Sequence, residues 1–144
     1  MTANPFKDLI RIDDTHGVSE LRSYLAVGGD INATEPYNGW TFVHRAVEHH
    51  NLALVEALAR AGADLNKQDF HGWTPLHLAM DVGIDAHWQS DQGEDGLPFD
   101  MVRLLLSLGA DPTIRNNKHK TPRDIAEGRG ANVIEVFDQA LAGR

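Results

Sequence analysis

The stretch Gly72-Trp73-Thr74-Pro75-Leu76-His77-Leu78-Ala79 decides the fold, because a weaker copy of it occurs earlier in the chain. That copy, Gly39-Trp40-Thr41-Phe42-Val43-His44-Arg45-Ala46, lies 33 residues upstream. A second phrase also repeats: Gly62-Ala63-Asp64-Leu65-Asn66 returns as Gly109-Ala110-Asp111-Pro112. Self-similarity at a fixed spacing of this size is typical of stacked repeats.

Each unit predicts a helix, a tight turn, a second helix and an extended segment. In the unit that begins at Thr74, this residue suits the N-cap position and Pro75 the first helical position, where its missing N–H has no cost. Its second helix carries the apolar run Met101, Val102, Leu104, Leu105 and Leu106 and is closed by Gly109. The unit that begins at Thr41 predicts helices over about 42–49 and 52–60, closed by Gly62.

Thr-Pro-Leu-His-x-Ala at a 33-residue period resembles the ankyrin repeat, and the resemblance covers nearly the whole chain. It implies an all-α ankyrin-repeat solenoid of stacked helix-turn-helix units with β-hairpin-like fingers. Two positions depart from the family pattern. Phe42 replaces the proline, and His50 stands where the family usually has glycine. Both departures are expected to cost local stability, by about 1 kcal/mol or less.

A single domain over 1–144 is predicted, composed of four repeats. The first is an N-terminal cap over about 1–36, in which Asn4-Pro5 starts one helix, Leu9, Ile10 and Ile12 form an apolar stripe, and a second helix begins near Gly17. Repeat 2 spans 37–69 and repeat 3 spans 70–116. The C-terminal cap covers 117–144, where Thr121-Pro122-Arg123-Asp124-Ile125-Ala126 echoes the signature.

Repeat 3 contains an insertion. Thr41 and Thr74 are 33 residues apart, whereas Thr74 and Thr121 are 47 apart, and the excess falls between the two helices at about 84–97. This loop holds Asp85, Asp91, Glu94 and Asp95 without Lys or Arg, which is half of the formal net charge of −8. It is either a solvated acidic loop or a partner-binding element with Trp88 as its aromatic anchor. A calcium loop starting at Asp91 fails, because Gly93 and Val102 occupy ligand positions.

The acidic composition limits the choice of partner. A net charge of −8 and a pI near 5.3 argue against nucleic acid and anionic membranes, and they favour a basic protein surface. The absence of cysteine excludes thiolate chemistry. The N-terminal residues do not form a secretory signal and no apolar run reaches 18 residues, so a cytoplasmic protein is expected.

The resemblance implies which residues contact a partner. Ankyrin proteins bind through the fingers, here about 34–40, 67–73 and 114–120, and through the exposed faces of the first helices. The finger candidates are Tyr37, Trp40, Phe70, His71 and Trp73, with both tryptophans either exposed or packed finger against finger. Lys118, His119 and Lys120 make the third finger basic. On the first helices, Arg45, Glu48 and Asp81 are expected to point outward.

The eight histidines raise the question of a metal site or catalysis. His44 and Glu48 are spaced i, i+4, as two ligands on one helical face would be. The resemblance instead gives His44 and His77 a structural role, in which each side chain bonds neighbouring backbone and ties repeats together. No phosphate loop, His-Glu-x-x-His or nucleophile elbow is present, so neither a cofactor nor enzymatic activity is predicted.

Three hypotheses of function follow. The first is a non-catalytic protein-binding module, acting as a small inhibitor, an adaptor or a toxin-immunity protein whose acidic loop plugs a basic active site. The second is a histidine-based metal-binding or enzymatic protein on an ankyrin scaffold. The third is a purely structural scaffold for a basic peptide.

Overall fold

The computed structural model describes residues 14–81, 100–127 and 131–142. Seven helical segments lie in these ranges: α1 Asp14–Ala26, α2 Phe42–Glu48, α3 Leu52–Arg60, α4 over 75–81, α5 Asp100–Ser107, α6 Pro122–Ala126 and α7 Ala131–Ala142. Within the described residues there is no strand. The predicted all-α class is confirmed. Helix α1 begins three residues before the predicted Gly17, and the predicted first helix of the N-terminal cap and the insertion 84–97 lie outside the described residues.

The helices begin where the sequence predicts, because threonine caps recur. The Thr41 side chain accepts a hydrogen bond from the His44 backbone N–H, and Thr121 does the same for Asp124. In both cases the third helical residue bonds back to the threonine backbone, which satisfies two N–H groups at the helix start. Thr74 accepts in the same way from the His77 backbone N–H. These caps set the spacing of the first helices.

The second helices pack on each other in chain order. Contacts join α1 to α3, α3 to α5, and α5 to α7, and within repeats α2 packs on α3 and α6 on α7. Gly62, which ends α3, has a φ of 95°, a conformation that glycine adopts without strain. The result is a row of outer helices, which is the translational stacking predicted from the repeat spacing.

One apolar core runs along the whole stack. Its largest fully buried side chains are Phe42, Leu54, Leu58, Leu76, Met80, Leu105, Leu106 and Phe137. The expectation that Phe42 costs stability in place of proline is wrong. Its ring is fully buried and meets Tyr24 edge-on, with ring centroids 5.4 Å apart. Burying such a side chain contributes about 1.5–3 kcal/mol and joins the N-terminal cap to repeat 2.

The second repeated phrase connects neighbouring repeats through asparagine side chains. The Asn32 carboxamide oxygen accepts from the Asp64 backbone N–H at 2.9 Å, and that of Asn66 accepts from Asp111 at 2.8 Å. Each bond bridges two successive repeats at the same point. A regular set of such bonds fixes the distance and angle between repeats, and therefore the row of fingers on the opposite side of each unit.

Candidate partner-binding surface

Three short fingers project between the repeats, over 34–40, 67–73 and 114–120. Each closes with a backbone hydrogen bond of 2.9 Å: Glu35 N–H to Trp40 O, Asp69 N–H to Trp73 O and Asn116 N–H to Lys120 O. The chain reverses as in a β-hairpin without forming strands. This confirms the hairpin-like fingers expected from the resemblance. We call the three segments together the finger row.

Neighbouring fingers are hydrogen-bonded to each other. The Phe70 N–H donates to Asn38 O and the Asn117 N–H donates to His71 O, both at 3.0 Å. The fingers approach closely because Gly39 lies under the Phe70 ring and Gly72 lies against the Asn117 backbone. The finger row is thus one bonded surface, and its side chains hold fixed relative positions.

His44 and His77 connect each first helix to the next finger. The His44 Nδ1 accepts from the Thr41 backbone N–H at 3.1 Å, and its Nε2 lies 2.9 Å from Trp73 O. His77 repeats this with the Thr74 N–H at 3.1 Å and Lys120 O at 2.8 Å. Because a carbonyl only accepts, Nε2 carries the proton and each ring is neutral. The structural role implied by the resemblance fits both residues.

Burial reinforces the neutral state of these rings. Desolvation lowers the pKa of His44 and of His77, although the backbone bond and nearby carboxylates act in the opposite direction. A ring whose two nitrogens are both engaged has no lone pair left for a metal, so the pairing of His44 with Glu48 as ligands is wrong. Among the residues the structure describes, no cluster of three or more His, Cys, Asp or Glu is arranged to hold a metal ion.

Trp40 and Trp73 are half-buried, so each fits part of both alternatives. Trp40 stacks on His44 with ring centroids 6.1 Å apart, and Trp73 lies 5.9 Å from His77. The Trp40 indole N–H also donates to the Asp69 carboxylate at 3.0 Å. The tryptophans therefore pack within the repeats, and their remaining surface lines the groove described below.

Arg45 does not point freely outward as expected. Its guanidinium is held by Glu35, with Nε 2.6 Å and Nη2 2.9 Å from the two carboxylate oxygens, and it also meets Glu48 at 2.9 Å. It lies 4.9 Å from the centre of the Trp40 ring. Burial raises the pKa of Glu35, but the bonds from Arg45 and Tyr37 and the charge of Arg45 more than offset it, and the net pKa is lowered. The charge of Arg45 is compensated within the chain.

Other candidates are exposed as predicted. Tyr37 is 67% exposed and Phe70 is 61% exposed, whereas His71 and Glu48 are exposed polar residues. Asp81 is half-buried, at the end of the described part of α4. The finger row brings Tyr37, Phe70 and His71 to one side of the molecule. Asp85, Trp88, Asp91, Glu94 and Asp95 lie outside the described residues.

A groove of about 670 Å³ separates the second and third fingers from the first helices. Its base is apolar, with Trp40, Trp73, Leu78 and Ile125, and its finger side carries His71, Lys118 and Lys120. Asp69, Asp81, Asp124 and Glu127 also line it, as do Asn116 and Asn117. We call this space the groove.

Sequence reasoning missed Asp69, which organises the second finger. One carboxylate oxygen accepts from the His71 and Trp73 backbone N–H groups at 2.8 and 2.9 Å, and the other accepts from the Trp40 indole. Asn116 makes the equivalent backbone bonds to Lys118 and Lys120 in the third finger. The signal was available, because Asp or Asn four residues before the last finger residue is typical of such turns.

Comparison with known proteins agrees with this geometry. The sequence matches the family described as ankyrin repeats (3 copies) over residues 15–116. It is 35% identical over 132 residues to protein phosphatase 1 regulatory subunit 27 of Mus musculus, covering 92% of this chain and 75% of that protein. The human protein of the same name is 35% identical over 105 residues, covering 73% of this chain and 59% of the relative.

More distant relatives are much longer proteins. The chain is 30% identical to the Arabidopsis thaliana potassium channel AKT1 over 136 residues, but it spans only 16% of that protein. No helix in the described ranges is both long and apolar enough to cross a membrane. The chain belongs to the ankyrin-repeat family, and it is a protein-binding module of stacked helical repeats.

Proposed function

We propose that this chain is a small adaptor or inhibitor that regulates a partner protein by binding it through the finger row. The exposed aromatic rings of Tyr37 and Phe70 carry this proposal. They lie on adjacent fingers joined by the bond from Phe70 N–H to Asn38 O. Large aromatic side chains supply much of the energy at protein interfaces, and their exposure has a cost unless a partner covers them.

The fixed geometry of the finger row supports the same proposal. Hydrogen bonds within and between the fingers hold the backbone that carries both rings. Arg45 also bonds the Tyr37 hydroxyl at 3.3 Å. A surface that is already ordered loses less conformational entropy when it binds, which favours affinity.

The charge of the chain favours a basic partner surface. The net charge of −8 attracts a positive protein over distances of about 10 Å at physiological salt. The mouse relative is named a regulatory subunit of protein phosphatase 1, which supports a regulatory role and makes that phosphatase one partner to test. In the immunity version, the acidic residues of 84–97 enter the basic active site of a toxin.

The decisive experiment compares partner capture by the tagged chain and by the double variant Tyr37→Ser with Phe70→Ser. The captured protein is identified by mass spectrometry, and its affinity is then measured with purified components. We expect the double variant to weaken binding by at least about tenfold, since each ring is a hot-spot candidate. The matched control is Val27→Ser, which alters a side chain that is 85% exposed but lies outside the fingers.

Salt and a deletion separate the versions of this proposal. Binding to a basic surface should weaken between about 50 and 150 mM salt, and binding governed by the aromatic rings alone should not. Deleting 84–97 should abolish inhibition if this segment plugs an active site. Full binding by the double variant would refute the finger row as the interface.

A further inference from the structure

The groove presents its charge in an unequal way. Several cations of this acidic chain are already neutralised by its own carboxylates: Arg45 by Glu35, Arg60 by Glu56, Arg103 by Asp100 and Arg123 by Asp138. Lys118 and Lys120 are exposed on the third finger, and within the described residues neither ammonium group forms an ion pair. Both side chains border the groove.

The carboxylates of the groove are engaged in holding the fold. Asp69 accepts three hydrogen bonds from its own and the neighbouring finger. Asp124 accepts from the Thr121 N–H at 2.9 Å, and Glu127 lies 3.7 Å from the Arg123 guanidinium. Asp81 also takes part in an interaction within the chain. The charges that remain available to a ligand are therefore the cations of the finger side.

The base of the groove sets a second requirement. Trp73, Leu78 and Ile125 present partly exposed apolar surface at its base. A ligand that fills the groove must bring apolar side chains to this base. It must also bring anions to Lys118 and Lys120, because burying an unpaired charge under a partner is costly.

We infer that the groove takes an acidic segment of a partner protein, in which carboxylates flank an aliphatic or aromatic side chain. The carboxylates meet Lys118 and Lys120, and the apolar side chain rests on Trp73 and Ile125. This inference rests on the proposed function and deepens it: a partner with a basic surface elsewhere places an acidic, apolar segment here. Opposite charges at two places on one partner fix its orientation on the repeats.

The test lets the chain select its own ligands. Short random peptides displayed on phage are selected against the full chain, and a synthetic copy of the most enriched peptide is then titrated by fluorescence polarisation. We expect enriched peptides with Asp or Glu beside Leu, Phe or Trp. The double variant Lys118→Glu with Lys120→Glu should weaken binding of that peptide by about tenfold or more, since it replaces attraction with repulsion.

The matched control carries the same change of net charge elsewhere. Arg22 and Lys67 are exposed and do not line the groove, so Arg22→Glu with Lys67→Glu should bind the peptide within about twofold of the wild type. Thermal unfolding of each variant establishes that it is folded. Both double variants leave the backbone bonds of Asn116 in place, because those bonds use main-chain N–H groups.

Three results would overturn the inference: enrichment of Lys-rich or Arg-rich peptides, enrichment of no peptide at all, or equal binding of an acidic peptide by both double variants. None of these depends on Tyr37 or Phe70. Loss of partner binding in the Tyr37 and Phe70 variant together with a failed peptide test would leave the proposed function standing and reject only the acidic segment.

Discussion

At the scale of single residues, one histidine side chain does two structural tasks. Its Nδ1 caps its own helix, and its Nε2–H bonds the finger of the next repeat, as at His77 with the Thr74 N–H and Lys120 O. Asp124 holds the corresponding place in the C-terminal cap and keeps only the first task, with its carboxylate accepting from the Thr121 N–H. A carboxylate has no N–H with which to reach a further repeat.

The neutral histidines predict a dependence of stability on pH. The pKa of His44 and of His77 is lowered in the folded chain, mainly by burial, while unfolded rings protonate near pH 6.5. The unfolded state then binds more protons, so the free energy of unfolding should fall as the pH drops through and below about 6.5. Urea unfolding between pH 7.5 and pH 5 measures this slope.

The variant His77→Asn isolates the contribution of one ring. An asparagine oxygen can cap the helix as the Asp124 oxygen does, but it does not titrate. We expect a free energy of unfolding lower by about 1 kcal/mol or more at pH 7.5, from the lost bond to Lys120 O, together with a shallower pH slope. Equal slopes in wild type and variant would contradict the assignment, and exposed His49→Asn serves as the control.

His50 carries measurable strain. Its φ is 54°, in the left-handed region, where a side chain costs about 1–2 kcal/mol. His50→Gly should therefore raise the free energy of unfolding by about 0.5–1 kcal/mol after the entropy cost of glycine is subtracted. The neighbour His49 has a φ of −86°, so His49→Gly should lower stability by a similar amount. Guanidinium unfolding of the two variants should give opposite signs.

At the scale of elements, the fingers depend on close backbone approach. Gly39 and Gly72 occupy matching positions with φ of 75° and 77°, and each faces a residue of the next finger. The third finger has His119 at that position with a φ of 62°. The turn geometry is thus kept in all three fingers, and glycine occupies the two positions where another finger packs against it.

Gly72→Ala tests this packing. A Cβ there would lie 2.6 Å from the Asn117 backbone nitrogen, so something must shift in addition to the strain of a positive φ. We expect a loss of about 2–4 kcal/mol in the free energy of unfolding. Gly62 also has a positive φ, but a Cβ there meets nothing within 4 Å. Gly62→Ala should therefore cost only about 1–2 kcal/mol, and equal losses would disprove the steric argument.

At the scale of the whole molecule, stability comes from stacking. The outer helices contact only their neighbours in the chain order of repeats, and one continuous core passes through them. A short array of this kind is expected to unfold as one unit, because a single repeat cannot bury its apolar face.

Deleting 84–97 tests whether the insertion is needed for this stack. The deletion restores the 33-residue spacing between Thr74 and Thr121 found between Thr41 and Thr74. Since shortening a loop changes its closure entropy by under about 1 kcal/mol, the deleted chain should unfold cooperatively with nearly unchanged stability. Circular dichroism during thermal unfolding measures this. Loss of cooperative unfolding would show that the segment belongs to the core.

The repeat spacing, the threonine caps and the apolar runs were readable in the sequence because they depend on residues close together along the chain. Helices α2 and α3 accordingly lie within one residue of their predicted bounds. The exposure of Tyr37 and Phe70 also agrees with prediction. The four-repeat division of 1–144 and the partner-contact role of the predicted residues stay predictions.

The sequence by itself determined the class of fold, because self-similar units repeat a pattern that only stacking can bury. Only the tertiary structure decided which charges remain available to a partner. Arg45 is neutralised by Glu35, ten positions earlier, and Asp69 is engaged by an indole from another finger. Such pairings depend on how neighbouring repeats and fingers face each other in space, and that relation is absent from the order of residues along the chain.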